Sequence, residues 1–188
     1  MSTRLLIASD IHGSLPRATF LADLARDTAP DSIILLGDLL YHGPRNPLPE
    51  GYAPRDVADT LNDWKARIIA LRGNCDAEVD QMLLHFPLVE SAWLFVDGLR
   101  IFASHGHHNQ LPDRFPDLAE GDVFLCGHTH IPRAETVDGL HVWNPGSVTL
   151  PKQGHPAAYG LYEDGVFRVF DLDGAEVLRH APLRDGMA

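Results

Sequence analysis

Five short polar motifs, each following an apolar run, constrain this chain more than anything else in its sequence. Asp10-Ile11-His12 follows Leu5-Leu6-Ile7-Ala8, Gly37-Asp38 follows Ser32-Ile33-Ile34-Leu35-Leu36, and Gly73-Asn74 follows Arg67-Ile68-Ile69-Ala70-Leu71. Ser104-His105-Gly106 and Gly127-His128-Thr129-His130 complete the series. Continuous apolar runs ending in polar residues are the pattern of strands buried on both faces. Residues beyond the carboxyl ends of strands in open α/β sheets gather in one crevice, so motifs far apart in sequence are expected to converge. The adjacent glycines let the backbone turn tightly and approach a ligand.

Between the runs, Ser14 reads as a helix N-cap with Pro16 in the first turn, and Phe20, Leu21 and Leu24 give that helix an apolar face up to Pro30. A long loop with Gly43, Pro44, Pro47, Pro49, Gly51 and Pro54 leads into a helix carrying Val57, Leu61 and Trp64. Strand, helix, strand, helix, strand predicts a parallel sheet with right-handed crossovers. After a short helix predicted from Val79 to Leu84, the dipeptides Asp97-Gly98, Asp138-Gly139 and Asp164-Gly165 mark three hairpins. The second half is therefore expected to form a mostly antiparallel sheet, with the two sheets face to face and helices outside. Residues 1–188 read as one domain, with 183–188 as a frayed tail.

The motif side chains are two carboxylates, four imidazoles and one carboxamide, an O/N set that suits Mn, Fe or Zn rather than Ca or a soft thiolate-bound metal. They are too many for one ion. Two ions sharing a carboxylate would use them all and leave room for a bridging water, the arrangement of a two-metal clamp for in-line displacement at phosphorus. Singly, an Asp-x-His or a Gly-Asp is most often a satisfied turn residue, and it is the ordered combination that is specific.

With 15 Lys and Arg against 26 Asp and Glu, the formal net charge of -11 disfavours stable nucleic-acid binding and anionic lipid surfaces. A small phosphorylated substrate is compatible, because bound cations reverse the field locally. The N-terminal apolar stretch is too short for a signal peptide or membrane span, and Cys75 and Cys126 alone make no disulfide framework, so a cytoplasmic location is expected. Neither cysteine begins a Cys-x5-Arg loop of the kind cysteine-dependent phosphatases use: Gln81 and Pro132 occupy that distance. The sequence leaves the oligomeric state open, a homo-oligomer included.

The blocks Asp10-Ile11-His12, Gly37-Asp38, Gly73-Asn74, His105 and Gly127-His128-Thr129-His130 resemble, in order, those of the calcineurin-like metallophosphoesterases. More narrowly, residues 9–16, His42-Gly43-Pro44-Arg45-Asn46, Arg72-Gly73-Asn74-Cys75-Asp76 and Asn144-Pro145-Gly146-Ser147 resemble the small bacterial YfcE-type phosphodiesterases. The resemblance implies a four-layer α/β/β/α sandwich and a phosphodiesterase with two divalent ions, most readily Mn, with Fe or Zn as alternatives. One ion would be held by Asp10, His12 and His130, the other by Asn74, His105 and His128, with Asp38 bridging, and a hydroxide between the ions would attack phosphorus. Asp38, Asn74, Cys75 and His107 are the candidate catalytic residues; His42, Arg45, Asn144 and Ser147 are the candidate substrate contacts. Larger family members often carry Gly-Asn-His where this chain has Cys75, a weak donor, and His107 is the alternative helper for the leaving group.

The plainer reading of His42, His85, His107, His108, His141, His155 and His180 is surface or packing, and Arg45 by default is a solvated loop cation. A phosphomonoesterase or nucleotide pyrophosphatase on the same centre is the alternative within enzymes. A non-catalytic metal-binding interaction scaffold is the rival from another class, but scaffolds of this fold lose ligands and here every ligand position is filled.

Overall fold

The computed structural model describes residues 2–108 and 118–182. Its first sheet begins with three parallel strands, β1 (Leu5–Ala8), β2 (Ser32–Leu35) and β3 (Ile68–Leu71), linked by α1 (Leu15–Thr28) and α2 (Pro54–Asn62). Period-two alternation gives each strand two apolar faces. Leu6, Ala8, Ile33 and Leu35 pack with Leu21, Ala25, Val57 and Leu61 of the helices, while Leu5, Ile7, Ile34 and Leu36 turn to the second sheet. Ser14 is the N-cap residue of α1, as its sequence suggests, but its hydroxyl donates to the Glu50 carbonyl at 3.0 Å instead of receiving a helical N–H.

The helix predicted over Val79 to Leu84 is a 3-10 turn, Glu78–Met82, closed at its start by the Asp80 carboxylate accepting the Ala77 N–H at 2.7 Å. The remaining strands are β4 (Leu88–Val89), β5 (Ser91–Val96), β6 (Leu99–Ser104), β7 (Val123–Leu125), β8 (Pro132–Val137), β9 (Leu140–Pro145), β10 (Ala158–Glu163), β11 (Val166–Asp171) and β12 (Glu176–His180). All three predicted hairpins form. Their turn aspartates, Asp97, Asp138 and Asp164, have φ of 49–54°, and the following glycines are also at positive φ, the geometry of two-residue hairpin loops.

The expectation of a mostly antiparallel second half with a sheet of its own needs correction. The sheet orders are β12-β11-β10-β1-β2-β3-β4 and β5-β6-β7-β9-β8. β10 to β12 join the first sheet, because β1 has an edge free of β2 whose backbone groups β10 satisfies in antiparallel pairing. In the second sheet β6, β7 and β9 run parallel, and the crossovers that allow this contain the His105-Gly106 and Gly127–His130 loops. Parallel pairing points β6 and β7 the same way, so both histidine motifs emerge at one edge.

Between the sheets, Leu71, Ile101, Val123, Leu125 and Trp143 are fully buried, Trp143 stacking on Phe167 at 4.9 Å. Phe102, Phe124 and Cys126 form a separate cluster with Trp93, Leu118 and Val142 on the outer face of the second sheet. The described α-helices both lie on the first sheet; residues 109–117, which precede β7, and the tail 183–188 fall outside the described residues. No helix among the described residues is long and apolar enough to cross a membrane.

Candidate metal centre

The C-terminal ends of β1, β2 and β3 deliver Asp10, Asp38 and Asn74, and those of β6 and β7 deliver His105 and His128. Their loops are bent in an unusual way. Asp10, His12, Asp38, His128 and His130 all have φ between 52 and 64°, a left-handed region that costs a non-glycine residue on the order of 1 kcal/mol or more. Except for the hairpin aspartates, Ala29 at the end of α1 and Gln153, every described non-glycine residue with such a φ is one of these five. Backbone strain is thus concentrated at the motifs.

The protonation pattern shows what the cluster is built to hold. His12 Nδ1–H donates to the Tyr41 carbonyl at 2.8 Å, His105 Nδ1–H to the Leu36 carbonyl at 2.6 Å, and His130 Nδ1–H to the Leu150 carbonyl. A carbonyl can only accept, so in the neutral imidazoles these contacts put the hydrogen on Nδ1 and leave a bare lone pair on Nε2. His12 Nε2 and His130 Nε2 then face each other at 3.4 Å, and Asp10 Oδ1 lies 3.2 Å from His130 Nε2 and 3.7 Å from His12 Nε2. Asp10 Oδ2 receives the Ser9 hydroxyl and the His128 N–H, whereas buried Oδ1 has no hydrogen-bond donor. Three acceptors converging without a proton between them repel one another; a cation turns that repulsion into coordination.

The ligand atoms of Asp10, His12 and His130 lie within 4.8 Å of one another, as do those of Asp10, Asp38 and His105. Asn74 Oδ1 is 3.1 Å from His105 Nε2, and the His128 ring is 5.1 Å from that of His105. Burial opposes charge on His105, but the Asp38 carboxylate 3.5 Å away and the charge of Asp10 outweigh it and raise its pKa to about 9. Burial likewise opposes ionisation of Asp38, yet His105 and the Cys75 N–H, donated to Asp38 Oδ1 at 2.8 Å, hold its carboxyl well below the usual range. His128 is pushed down to about 4, by burial first and by the His105 charge second.

A proton on His105 is therefore what a cation bound at its Nε2 would have to displace. The raised pKa stabilises the metal-free fold fully below about 6.5, and this contribution is lost as pH rises through about 9. At about pH 7.5, metal binding is expected to release close to one proton per chain from His105, in addition to any proton lost by a metal-bound water. Calorimetry in buffers of different ionisation enthalpy reads this as a slope of at least about one, and a slope near zero would contradict the assignment.

Four candidates from the sequence stand elsewhere than expected, two of them in the interior. Asn144 and Ser147, expected as substrate contacts, are fully buried and hold the ligand loops together. Asn144 Nδ2 donates to the Gly127 carbonyl at 2.8 Å and to Thr129 Oγ1 at 3.1 Å, and Ser147 Oγ donates to the Asp10 carbonyl at 3.0 Å while accepting the Leu150 N–H at 2.8 Å. With no accessible surface they offer no face to a ligand and instead fix the loops that carry the metal-ligand candidates.

A cleft of about 790 Å³ opens over the cluster. Asp38, Tyr41, Arg45, Asn74, Cys75, His128, His130 and Lys152 are among its lining residues, but His42 and His107 are not. His42 packs edge-on against Tyr41 and Tyr52, with ring centroids 4.8 and 5.1 Å away. His107 lies against His105 and His108, at 5.4 and 3.7 Å. Burial and then the Asp38 charge push the Cys75 thiol up to about 12, and burial does the same to Cys126, so neither is a thiolate.

Asp76 is a residue the motif reading passed over. Its carboxylate accepts the N–H groups of Asp38 at 2.8 Å, Leu39 at 2.8 Å and Gly73 at 2.7 Å, tying the Asp38 loop to the Asn74 loop. An acidic residue three places after a loop glycine was the available signal. Lys152, two residues beyond the carbonyl behind His130, carried no signal of its own.

Residues 3–164 match the calcineurin-like phosphoesterase superfamily domain. The chain belongs to that superfamily and is an enzyme of the metallophosphoesterase class, whose members bind divalent metals. It is 46% identical over 177 residues to the phosphodiesterase YfcE of Escherichia coli strain K12, a match that covers 93% of this chain and 95% of the relative. A solved structure of YfcE, described as a phosphoesterase from E. coli, superposes with a TM-score of 0.92 at 44% identity, covering 96% of this chain and all of the other. Phosphodiesterase MJ0936 of Methanocaldococcus jannaschii is 28% identical over 152 residues, covering 74% of this chain and 81% of the relative. Vps29 of Entamoeba histolytica, whose solved structure has a TM-score of 0.62 at 22% identity and covers 94% of this chain and 98% of that one, shares the fold.

Proposed function

We propose that this chain hydrolyses small phosphodiesters at a dinuclear centre, with Asp10, His12 and His130 on one ion, Asn74, His105 and His128 on the other, and Asp38 between them. The observation that carries the reading is the convergence of bare Nε2 lone pairs on the donorless Asp10 Oδ1, beside a cleft wide enough for a substrate. When bound, divalent ions, Mn being the first candidate, would supply Lewis acidity and an acidified water as the nucleophile.

The chain's own part is to hold the cluster and shape its surroundings. The Tyr41, Leu36 and Leu150 carbonyls fix the ligand imidazoles in one tautomer, and the Ser9 hydroxyl and His128 N–H orient Asp10. Hydrolysis would form a P–O bond to the oxygen of that water as the ester P–O bond breaks, giving a phosphomonoester and, with a proton from the water, an alcohol. Of Cys75 and His107, only Cys75 lines the cleft, and a neutral thiol is a weak proton donor, so leaving groups that depart as stable anions should react best.

A diester monoanion needs a strong nucleophile and room for its second ester group, both of which this arrangement offers, and the 46% identity to a protein named phosphodiesterase supports the same choice. With Mn present, kcat/KM for an aryl phosphodiester is expected to exceed that for the aryl monoester with the same leaving group. A higher value for the monoester would reverse the assignment. Two free cysteines among the described residues agree with a cytoplasmic location, which fractionation of the native host would test.

A further inference from the structure

The cleft carries two cations that the centre itself does not use. In a chain with 26 acidic and 15 basic residues, the charged side chains lining it, apart from Asp38, His128, His130 and the backbone-bound Asp76, are Arg45 and Lys152. Both are exposed, and among the described residues neither side chain makes an ion pair or hydrogen bond. Arg4, Arg72, Arg100, Arg133 and Arg168, by contrast, each pair with a carboxylate.

Their mounting ties them to the ligand loops. Arg45 lies four residues beyond Tyr41, whose carbonyl receives His12 Nδ1–H, in a loop closed by Asn46 Nδ2 donating to the His42 carbonyl at 2.8 Å. Lys152 lies two residues beyond Leu150, whose carbonyl receives His130 Nδ1–H, and its own N–H donates to the His130 carbonyl at 3.3 Å. The cations thus stand on the two loops that back the Asp10, His12 and His130 group.

Charge balance says what they are for. Two divalent ions would be offset by Asp10, Asp38, a hydroxide and the single charge of a diester, and Asp76 offsets at most one charge more, so Arg45 and Lys152 together leave at least one positive charge uncompensated. We infer that Arg45 and Lys152 clamp a second anionic group on the substrate, a phosphate or a carboxylate, so that the substrate class is a small diester with an anionic tail. Arg supplies a planar fork suited to either oxyanion and Lys a mobile point charge. This inference rests on the phosphodiesterase reading.

The test is a binding measurement that does not depend on turnover. Mn-loaded protein is titrated calorimetrically with alkylphosphonates of matched chain length that end in a methyl, a carboxylate or a second phosphonate group. The anionic-tail probes are expected to bind on the order of tenfold tighter than the methyl probe, the range of a charge-assisted hydrogen bond, and the better tail identifies phosphate or carboxylate as the natural group. In the Arg45→Ala/Lys152→Ala double variant that ratio should fall to about one, and each single variant should give part of the loss. Equal affinities in the wild type, or a ratio that survives in the double variant, overturns the inference. A ratio unchanged because all three probes weaken together assigns both cations to the scissile phosphate and overturns it as well. Hydrolysis of a neutral-tail aryl diester by the wild type is measured separately, and its absence would sink the phosphodiesterase reading whatever the ratio shows.

Discussion

Asp38→Ala is expected to lower kcat/KM for an aryl phosphodiester by at least about a thousandfold and to reduce bound metal. Removing partners one shell out from a metal typically costs about 10–100-fold, and Asp38 is the proposed ligand of both ions, so its loss must exceed that range. It also removes the carboxylate 3.5 Å from His105 Nε2 and 3.8 Å from His12 Nε2, and with it the main support for the raised His105 pKa. His85→Ala is the matching control, because the exposed His85 touches the rest of the fold through its backbone N–H, donated to Asn62 Oδ1 at 2.7 Å. Full activity in Asp38→Ala, with the fold intact by circular dichroism, would remove Asp38 from the centre.

Gly73→Ala is expected to cost on the order of a hundredfold in kcat/KM although it deletes no ligand, the effect of displacing reacting geometry by about an ångström. A Cβ on Gly73 would stand 2.0 Å from Asp38 Oδ1 and 2.3 Å from the Asp38 nitrogen. Rotating the Asp38 side chain relieves only the first of these contacts, so the backbone loop has to move. Gly73 is not at positive φ, which isolates the steric clash from backbone strain. Wild-type kinetics in Gly73→Ala would mean that the β2 and β3 loops do not meet as described.

The parts of the fold that could be read from sequence were those with a residue-level signature. Leu5–Ala8 and its two neighbours announced themselves as buried strands, and the Asp-Gly turns as hairpins, because few other residue pairs tolerate two successive positive φ values. β4 has only two residues, and β12, Glu176–His180, pairs with β11 across an irregularity at Val169/Phe170, so neither shows a usable period. Which sheet each hairpin joins depends on the open edge of β1, a long-range fact that no local pattern encodes.

The site followed the same division. The ordered Asp, His and Asn motifs named the side chains that converge, but the carbonyls of Leu36, Tyr41 and Leu150 that set the imidazole tautomers belong to apolar and aromatic residues with no polar signature. Resemblance alone puts Asn144-Pro145-Gly146-Ser147 beside the centre, a turn after a strand being its plainer reading, and its complete burial shows that its hydrogen bonds are spent inside. His107 stood next to a motif in sequence, yet packing against His105 and His108 keeps it off the cleft wall.

Phosphodiester hydrolysis by the proposed mechanism requires two ions held by Asp10, His12, Asp38, Asn74, His105, His128 and His130. Chelator-stripped protein titrated with Mn, with bound metal and aryl-diester turnover measured on the same samples, tests it directly. Negligible activity is expected in the stripped protein, with recovery that completes as bound Mn reaches two per chain, since the charge neutralisation and the nucleophile both depend on the ions. Full activity in excess chelator with metal loss confirmed, or recovery complete at one ion per chain, would contradict the mechanism.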